Sequence, residues 1–158
     1  MTTWGELKTQ RPDLAEDGRR LFYQFGVGLA FLSTVRPDGG PRLHPMCPIL
    51  CDDRLLALII PSPKRDDLLR DGRYAMHSFP CEDNEDAFYI TGSASRVDDP
   101  SLRSRVVRQF VEERKGLVSE ADTEGQLLFE FALATALLTR TSRHGDPNPR
   151  HTVWKAAA

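Results

Sequence analysis

The tetrapeptide Pro37-Asp38-Gly39-Gly40 stands between two stretches of strand character, 27–35 and 41–50, and it decides how the chain can run. Proline presets φ and glycine accepts a positive φ, as a type I turn with a following bulge requires, so the two stretches read as an antiparallel hairpin. Cys51-Asp52-Asp53 makes a second turn into the apolar run 54–60, extending the hairpin to a three-stranded meander. Three further strands are expected: 73–79 after the stop Asp71-Gly72, 87–97, and 127–141. Within 87–97, Gly92 marks a bend or a close backbone approach. The stretch 127–141 has the Leu and Ala content of a helix, but its threonines and the alternation of Phe129, Phe131 and Leu133 favour a long strand. A polar turn at 143–149 precedes a short extended piece, 151–155.

Helices fall between and around these strands. One runs from Arg11-Pro12 to Phe25, with Leu14, Leu21, Phe22 and Phe25 spaced for one buried face and Gly26 ending it. Another opens at Asp98-Asp99-Pro100 and stops at Gly116, with Leu102, Val106, Val107, Phe110 and Val111 as its buried stripe. Six antiparallel strands in an open sheet would leave exposed edges, and closing the sheet removes them. The expected class is therefore α+β, with six antiparallel strands curled into a barrel and helices flanking it. The 158 residues read as a single domain, 1–158, with 1–10 as an N-terminal arm. A chain of this size buries roughly two-thirds of its unfolded surface and needs no staples.

A net charge of −2 gives no global attraction to nucleic acid or to anionic membranes, so neither is expected as a partner. Residues 1–18 lack a basic flank followed by an apolar core, no apolar stretch approaches the roughly 20 residues that span a bilayer, and the three cysteines cannot all pair within one chain. A cytoplasmic location is expected. His44, Cys47 and Cys51 are close in sequence, but along an extended strand the two cysteines share a face and His44 points to the other, so no metal set is complete. The four histidines, His44, His77, His144 and His151, show no spacing of a catalytic pair, and His77 reads as a core or interface residue. There is no Gly-x-Gly-x-x-Gly, no phosphate loop and no nucleophile elbow. The acidic loop 82–86 reads as a solvated connection.

The junction Ile59-Ile60-Pro61-Ser62-Pro63-Lys64-Arg65 carries the chemistry. An apolar strand ends, Ser62 is a preferred N-cap and Pro63 suits the first helical position, so a helix starts there. Its unpaired N–H groups and positive dipole end favour an anion, and Lys64 and Arg65 add charge. The other reading is a plain cap whose dipole Asp66 and Asp67 already complement.

These motifs, in the order Gly28-Leu29-Ala30-Phe31-Leu32-Ser33-Thr34-Val35 with the turn to Arg42-Leu43-His44-Pro45, then Ser62-Pro63-Lys64, then Ile90-Thr91-Gly92-Ser93-Ala94, resemble the FMN-binding split-barrel family related to pyridoxamine 5′-phosphate oxidase over about residues 11–155. The resemblance implies a split β-barrel homodimer with FMN, or in some branches a deazaflavin coenzyme, at the subunit interface. It implies that Arg42 reaches the cofactor phosphate, and that Leu43, His44 and Pro45 lie along the flavin ring edge. Ile59 and Ile60 would end their strand beside the ring, and Ser62 and Lys64 would bind the phosphate. Trp154 resembles the aromatic that closes the pocket from the other subunit; a tail anchor on the barrel is its other reading, as a surface strand charge is for Arg42. Cys47 stands where the oxidases tend to have lysine, Ala87 where they carry a polar amide, and their C-terminal arginine motif is missing, although Arg143 and Arg150 lie nearby. The implied function is an FMN-dependent oxidoreductase acting on a small organic substrate. A deazaflavin-dependent reductase and a non-catalytic flavin- or haem-binding module are the alternatives. Because a flavin carries its own redox chemistry, no catalytic side chain is nominated.

Overall fold

The structure, a computed structural model, describes residues 1–157. Near the N-terminus, the Thr3 hydroxyl accepts from the Glu6 N–H at 3.2 Å and the Glu6 carboxylate accepts from the Thr3 N–H at 2.7 Å. This reciprocal capping starts helix α1 (Trp4–Gln10) inside the segment expected as an arm, and Trp4 and Leu7 are buried. Helix α2 (Pro12–Phe22) buries Leu14, Leu21 and Phe22 as expected, but it stops short and leaves Phe25 54% exposed. The chain leaves helical geometry at Tyr23, whose hydroxyl accepts from the Leu50 N–H at 3.0 Å.

Strands β1 (Ala30–Val35) and β2 (Pro41–Met46) form the expected hairpin, with Gly39 at φ +84°. Strands β3 (Ile49–Cys51) and β4 (Arg54–Ile59) form a second hairpin, whose turn residues Asp52 and Asp53 both have positive φ. Helix α3 (Pro63–Arg70), strand β5 (Arg73–Ser78), strand β6 (Ala87–Arg96), helix α4 (Pro100–Glu113), a 3₁₀ turn (Ala121–Thr123), strand β7 (Leu127–Arg140) and strand β8 (Arg150–Lys155) complete the order. All pairings are antiparallel, in the order β2-β1-β5-β6-β7-β4-β3, with β8 on β7.

That order corrects the expected meander and the count of six strands. The stretch 41–50 is two strands, because Pro48 has no N–H with which to continue the β1 ladder. Its first part pairs β1 and its second pairs β4, at opposite ends of the sheet, with only Cys47 and Pro48 between them. So short a link requires the sheet to curl, and the result is a half-barrel whose ends are joined by chain rather than by a closed ladder. Gly28 makes the approach feasible, since a Cβ there would lie 1.8 Å from the Pro48 carbonyl oxygen. The tail piece is a full strand: one edge of the long β7 pairs β4 over residues 127–130 and β8 over residues 135–140. Between them Thr2 exchanges hydrogen bonds of 2.9 and 2.7 Å with Leu133, so that edge is occupied along its length. Gly92 sits at a register shift in the β6–β7 ladder, where a Cβ would lie 1.8 Å from the Ala132 oxygen, as the close-approach reading requires.

The concave face of the sheet packs on α1 and α2. Trp4, Phe22 and Phe88 form an aromatic triangle with centroids 5.5 to 6.3 Å apart, and Phe131 meets Tyr74 edge-on at 4.9 Å. A second cluster lies under α4, where Leu102 and Val106 pack on Ile49, Leu56 and Leu128. The α4 cap is the one the sequence announces, with the Asp99 side chain accepting from the Leu102 N–H at 3.0 Å. Among the described residues no helix is long and apolar enough to cross a membrane.

Candidate functional site

Alternation along β2 sends Arg42, His44 and Met46 toward the α3 side of the sheet and leaves Leu43 and Pro45 on the outer face, Leu43 66% exposed. The β1 residues registered with the first group, Thr34, Leu32 and Ala30, are all buried. Helix α3 closes on this side, and its Asp67 is the organising group. The Asp67 carboxylate, with a side chain 2% exposed, accepts from the Arg42 Nε at 2.7 Å, the Thr34 hydroxyl at 2.9 Å and an Arg70 Nη at 3.2 Å. Burial alone would raise its pKa, but the hydrogen bonds from Arg42, Thr34 and Arg70 outweigh burial and hold it below the ordinary aspartate value. Arg70 also donates to the Val35 carbonyl, which fixes α3 against β1.

Lys64, at the start of α3, reaches back over β2 and donates to the Pro45 carbonyl at 3.4 Å. It makes no ion pair among the described residues, and burial lowers its pKa. His44 sits beside both cations. Burial, then Lys64, then Arg42 lower its pKa, with Asp67 opposing, which favours the neutral imidazole. Its Nε2 is buried and has no hydrogen-bond partner. The junction therefore concentrates a guanidinium held by one nitrogen, an ammonium with one long contact and an imidazole nitrogen with none. That donor set suits a bound oxyanion.

Other expected contacts are placed differently. Ser62 precedes α3 in extended geometry but makes no side-chain cap; its hydroxyl donates to the Ile60 carbonyl at 2.9 Å. Arg65 turns away from Lys64 and donates to the Gly125 carbonyl at 3.1 Å, so one cation of the expected pair leaves the junction. Ile59 is buried in the core, whereas Ile60 is 51% exposed at the strand end. Trp154 is 9% exposed and packed in the core, registered with Ala136, and its indole N–H donates to the Gln10 side chain at 3.3 Å. These contacts tie the tail to the barrel and follow from the pairing of β8 with β7. Sequence reasoning gave Asp67 only a dipole-complementing role and did not single out Thr34. The one signal available was that Thr34 lies opposite Arg42 in the hairpin register.

The outer face of the sheet carries a row of mostly apolar side chains. Pro45, Phe31, His77, Tyr89, Leu137 and Val153 form one registered row across β2, β1, β5, β6, β7 and β8, and none of them is buried. Phe79 stacks on Phe31 at 4.4 Å and Phe25 meets Phe79 at 6.4 Å. His77 Nδ1 donates to the Ser78 carbonyl at 2.6 Å, so its Nε2 is the nitrogen free to accept.

No protein-family model and no curated protein sequence matches the chain. Solved structures do. A heme-binding protein from Mycobacterium smegmatis superposes with a TM-score of 0.66 at 13% identity, over 92% of this chain and 59% of that one. The heme storage protein HutZ of Vibrio cholerae gives 0.58 at 17% identity, over 75% and 89%. A protein of Listeria innocua described as a candidate pyridoxamine 5′-phosphate oxidase gives 0.61 at 15% identity, over 78% and 95%. At these identities the likeness is one of fold, and the split-barrel neighbours fit the curled antiparallel half-barrel described above.

Proposed function

We propose that this chain binds FMN and acts as an oxidoreductase on a small organic substrate, as a homodimer with the cofactor at the subunit interface. The observation that carries the reading is the β2–α3 junction, where Arg42, His44 and Lys64 converge and a buried imidazole nitrogen lacks a partner. These residues fit a phosphate monoester, which brings about two negative charges and three acceptor oxygens. Arg42 and Lys64 would hold that group, Arg42 through the guanidinium nitrogens that its Nε contact with Asp67 leaves free. The bound flavin supplies hydride or single-electron transfer, and the chain binds and orients it. The row from Pro45 to Val153, none of it buried and most of it apolar, supports a second copy as the partner, since apolar side chains left open in this way mark an interaction surface. Three free thiols fit a reducing, cytoplasmic setting.

Equilibrium titration tests the reading. FMN is expected to bind at least about tenfold more tightly than riboflavin, a difference of about 1.4 kcal/mol from the phosphate; equal affinities contradict the phosphate site, and a deazaflavin that outcompetes FMN redirects the cofactor assignment. Sedimentation is expected to give a dimer, and a stable monomer removes the shared pocket. A haem-binding reading has one observation of its own. His77 is exposed on the apolar face with its other ring nitrogen fixed by a carbonyl, the arrangement common for metal-ligating histidines. A haem titration that produces a ligated absorption band lost in His77→Ala favours it.

A further inference from the structure

The geometry points to His44 as a proton-linked third member of the anion site: arrival of a phosphate group at Arg42 and Lys64 draws a proton from solvent onto the His44 imidazole. This rests on the phosphate reading of the β2–α3 junction and assigns that site a regulation by pH.

The groups that face His44 are few. On its own strand the group is Arg42; from α3 they are Lys64 and Asp67. From β1 they are Leu32, directly opposite, and Thr34, neither of which titrates in the physiological range. Asp67 is already shared by Arg42, Arg70 and Thr34, so its charge is largely answered before it reaches His44. The local field is that of two cations. Burial first, and that field second, disfavour the charged imidazole, in agreement with its lowered pKa and with a buried Nε2 that has no partner. A phosphate dianion offsets that field and offers an acceptor to each of the three side chains. A neutral imidazole can donate to it from the Nε2–H tautomer, and protonation adds a charge that strengthens this hydrogen bond. One proton leaves solvent and is held on the ring, and no bond other than N–H forms. Because linkage is reciprocal, a proton that binds better with the anion present makes the anion bind better at lower pH. Riboflavin, with no phosphate, has no such coupling.

NMR titration of His44 in the full chain tests this, alone and saturated with FMN, riboflavin or inorganic phosphate. FMN is expected to raise the His44 pKa by at least about one unit, and riboflavin to leave it in place. The FMN dissociation constant should fall as pH drops from about 8 to about 6.5, by at most about tenfold per unit for a single proton. Below that range the second phosphate pKa, near 6, intervenes. In His44→Gln, which keeps a donor but cannot titrate, FMN should still bind and the pH slope should vanish. If FMN binds with no change in the His44 pKa, or if His44→Gln keeps the slope, the proton linkage is overturned while the flavin reading stands. If no flavin binds but inorganic phosphate raises the His44 pKa, the linkage stands and the flavin reading fails. If inorganic phosphate does not raise it either, the linkage fails as well. Should His44→Gln not fold, the wild-type titrations decide.

Discussion

The seam where β8 meets α1 and the junction where β2 meets α3 both place polar groups on buried ground, and they treat them in opposite ways. In the seam, the Trp154 backbone is in the ladder, its ring is packed and its N–H reaches Gln10 at 3.3 Å; beside it Thr2 pairs on both sides with Leu133. In the junction, the His44 Nε2 is unpartnered and the Lys64 ammonium has a single contact of 3.4 Å. Leaving a buried nitrogen such as His44 Nε2 unmatched costs about 1–3 kcal/mol, and it is left so beside a well-paired Asp67. Polar satisfaction, more than burial, separates Trp154 from His44 and Lys64.

The sharpest way to break this contrast is Trp154→Ala. Emptying a packed aromatic site is expected to cost about 3–5 kcal/mol in urea unfolding, with the ratio of FMN to riboflavin affinity unchanged at temperatures where the variant is folded. A collapsed ratio in a folded variant would move Trp154 from the seam into the cofactor site. Asp67→Asn comes next. It removes the carboxylate that Arg42, Arg70 and Thr34 share and is expected to cost about 2 kcal/mol, while freeing Arg42 and tightening FMN binding several-fold. Because the folded Asp67 pKa lies below its unfolded value, near 3.9, its contribution is fully present above about pH 4. It is lost as pH falls through the lower folded value, so acid unfolding of the wild type should carry a component that Asp67→Asn lacks. Loss of stability together with loss of FMN affinity would show that Asp67 positions Arg42 more than it competes with the anion.

The parts of the molecule that were legible in the sequence are those fixed by local chemistry. The turn at Gly39, the close approach at Gly92 and the cap at Asp99 each follow from what a single residue type permits, and each is found. The Thr3 to Glu6 box was also a local signal, read as part of an arm although it opens α1. Partner choice was not legible. Residues 41–50 have strand character throughout, and nothing in them says that one half pairs β1 and the other β4; only the curl of the sheet decides that. In the site, the resemblance brought Arg42 and Lys64 to one place. Asp67, read as a dipole complement, meets Thr34 across 33 positions of sequence, a contact no local pattern announces.

Two smaller changes sharpen the junction side of the contrast. Lys64→Ala removes a half-buried ammonium with one long hydrogen bond, so unfolding stability should stay within about 0.5 kcal/mol of wild type. FMN affinity should drop by about tenfold, equivalent to about 1.4 kcal/mol, and riboflavin affinity should hardly change. A stability loss as large as that of Asp67→Asn would make Lys64 a strut between α3 and β2 instead of a ligand group. Ser62→Ala should have the least effect. Its hydroxyl already donates to the Ile60 carbonyl, yet that oxygen keeps its lone pairs and can still accept from a protonated phosphate or hold a water against it. Its loss is therefore expected to weaken FMN by less than about threefold. A tenfold loss would mean that the hydroxyl leaves Ile60 when the anion arrives, and that the junction rearranges on binding instead of standing ready for it.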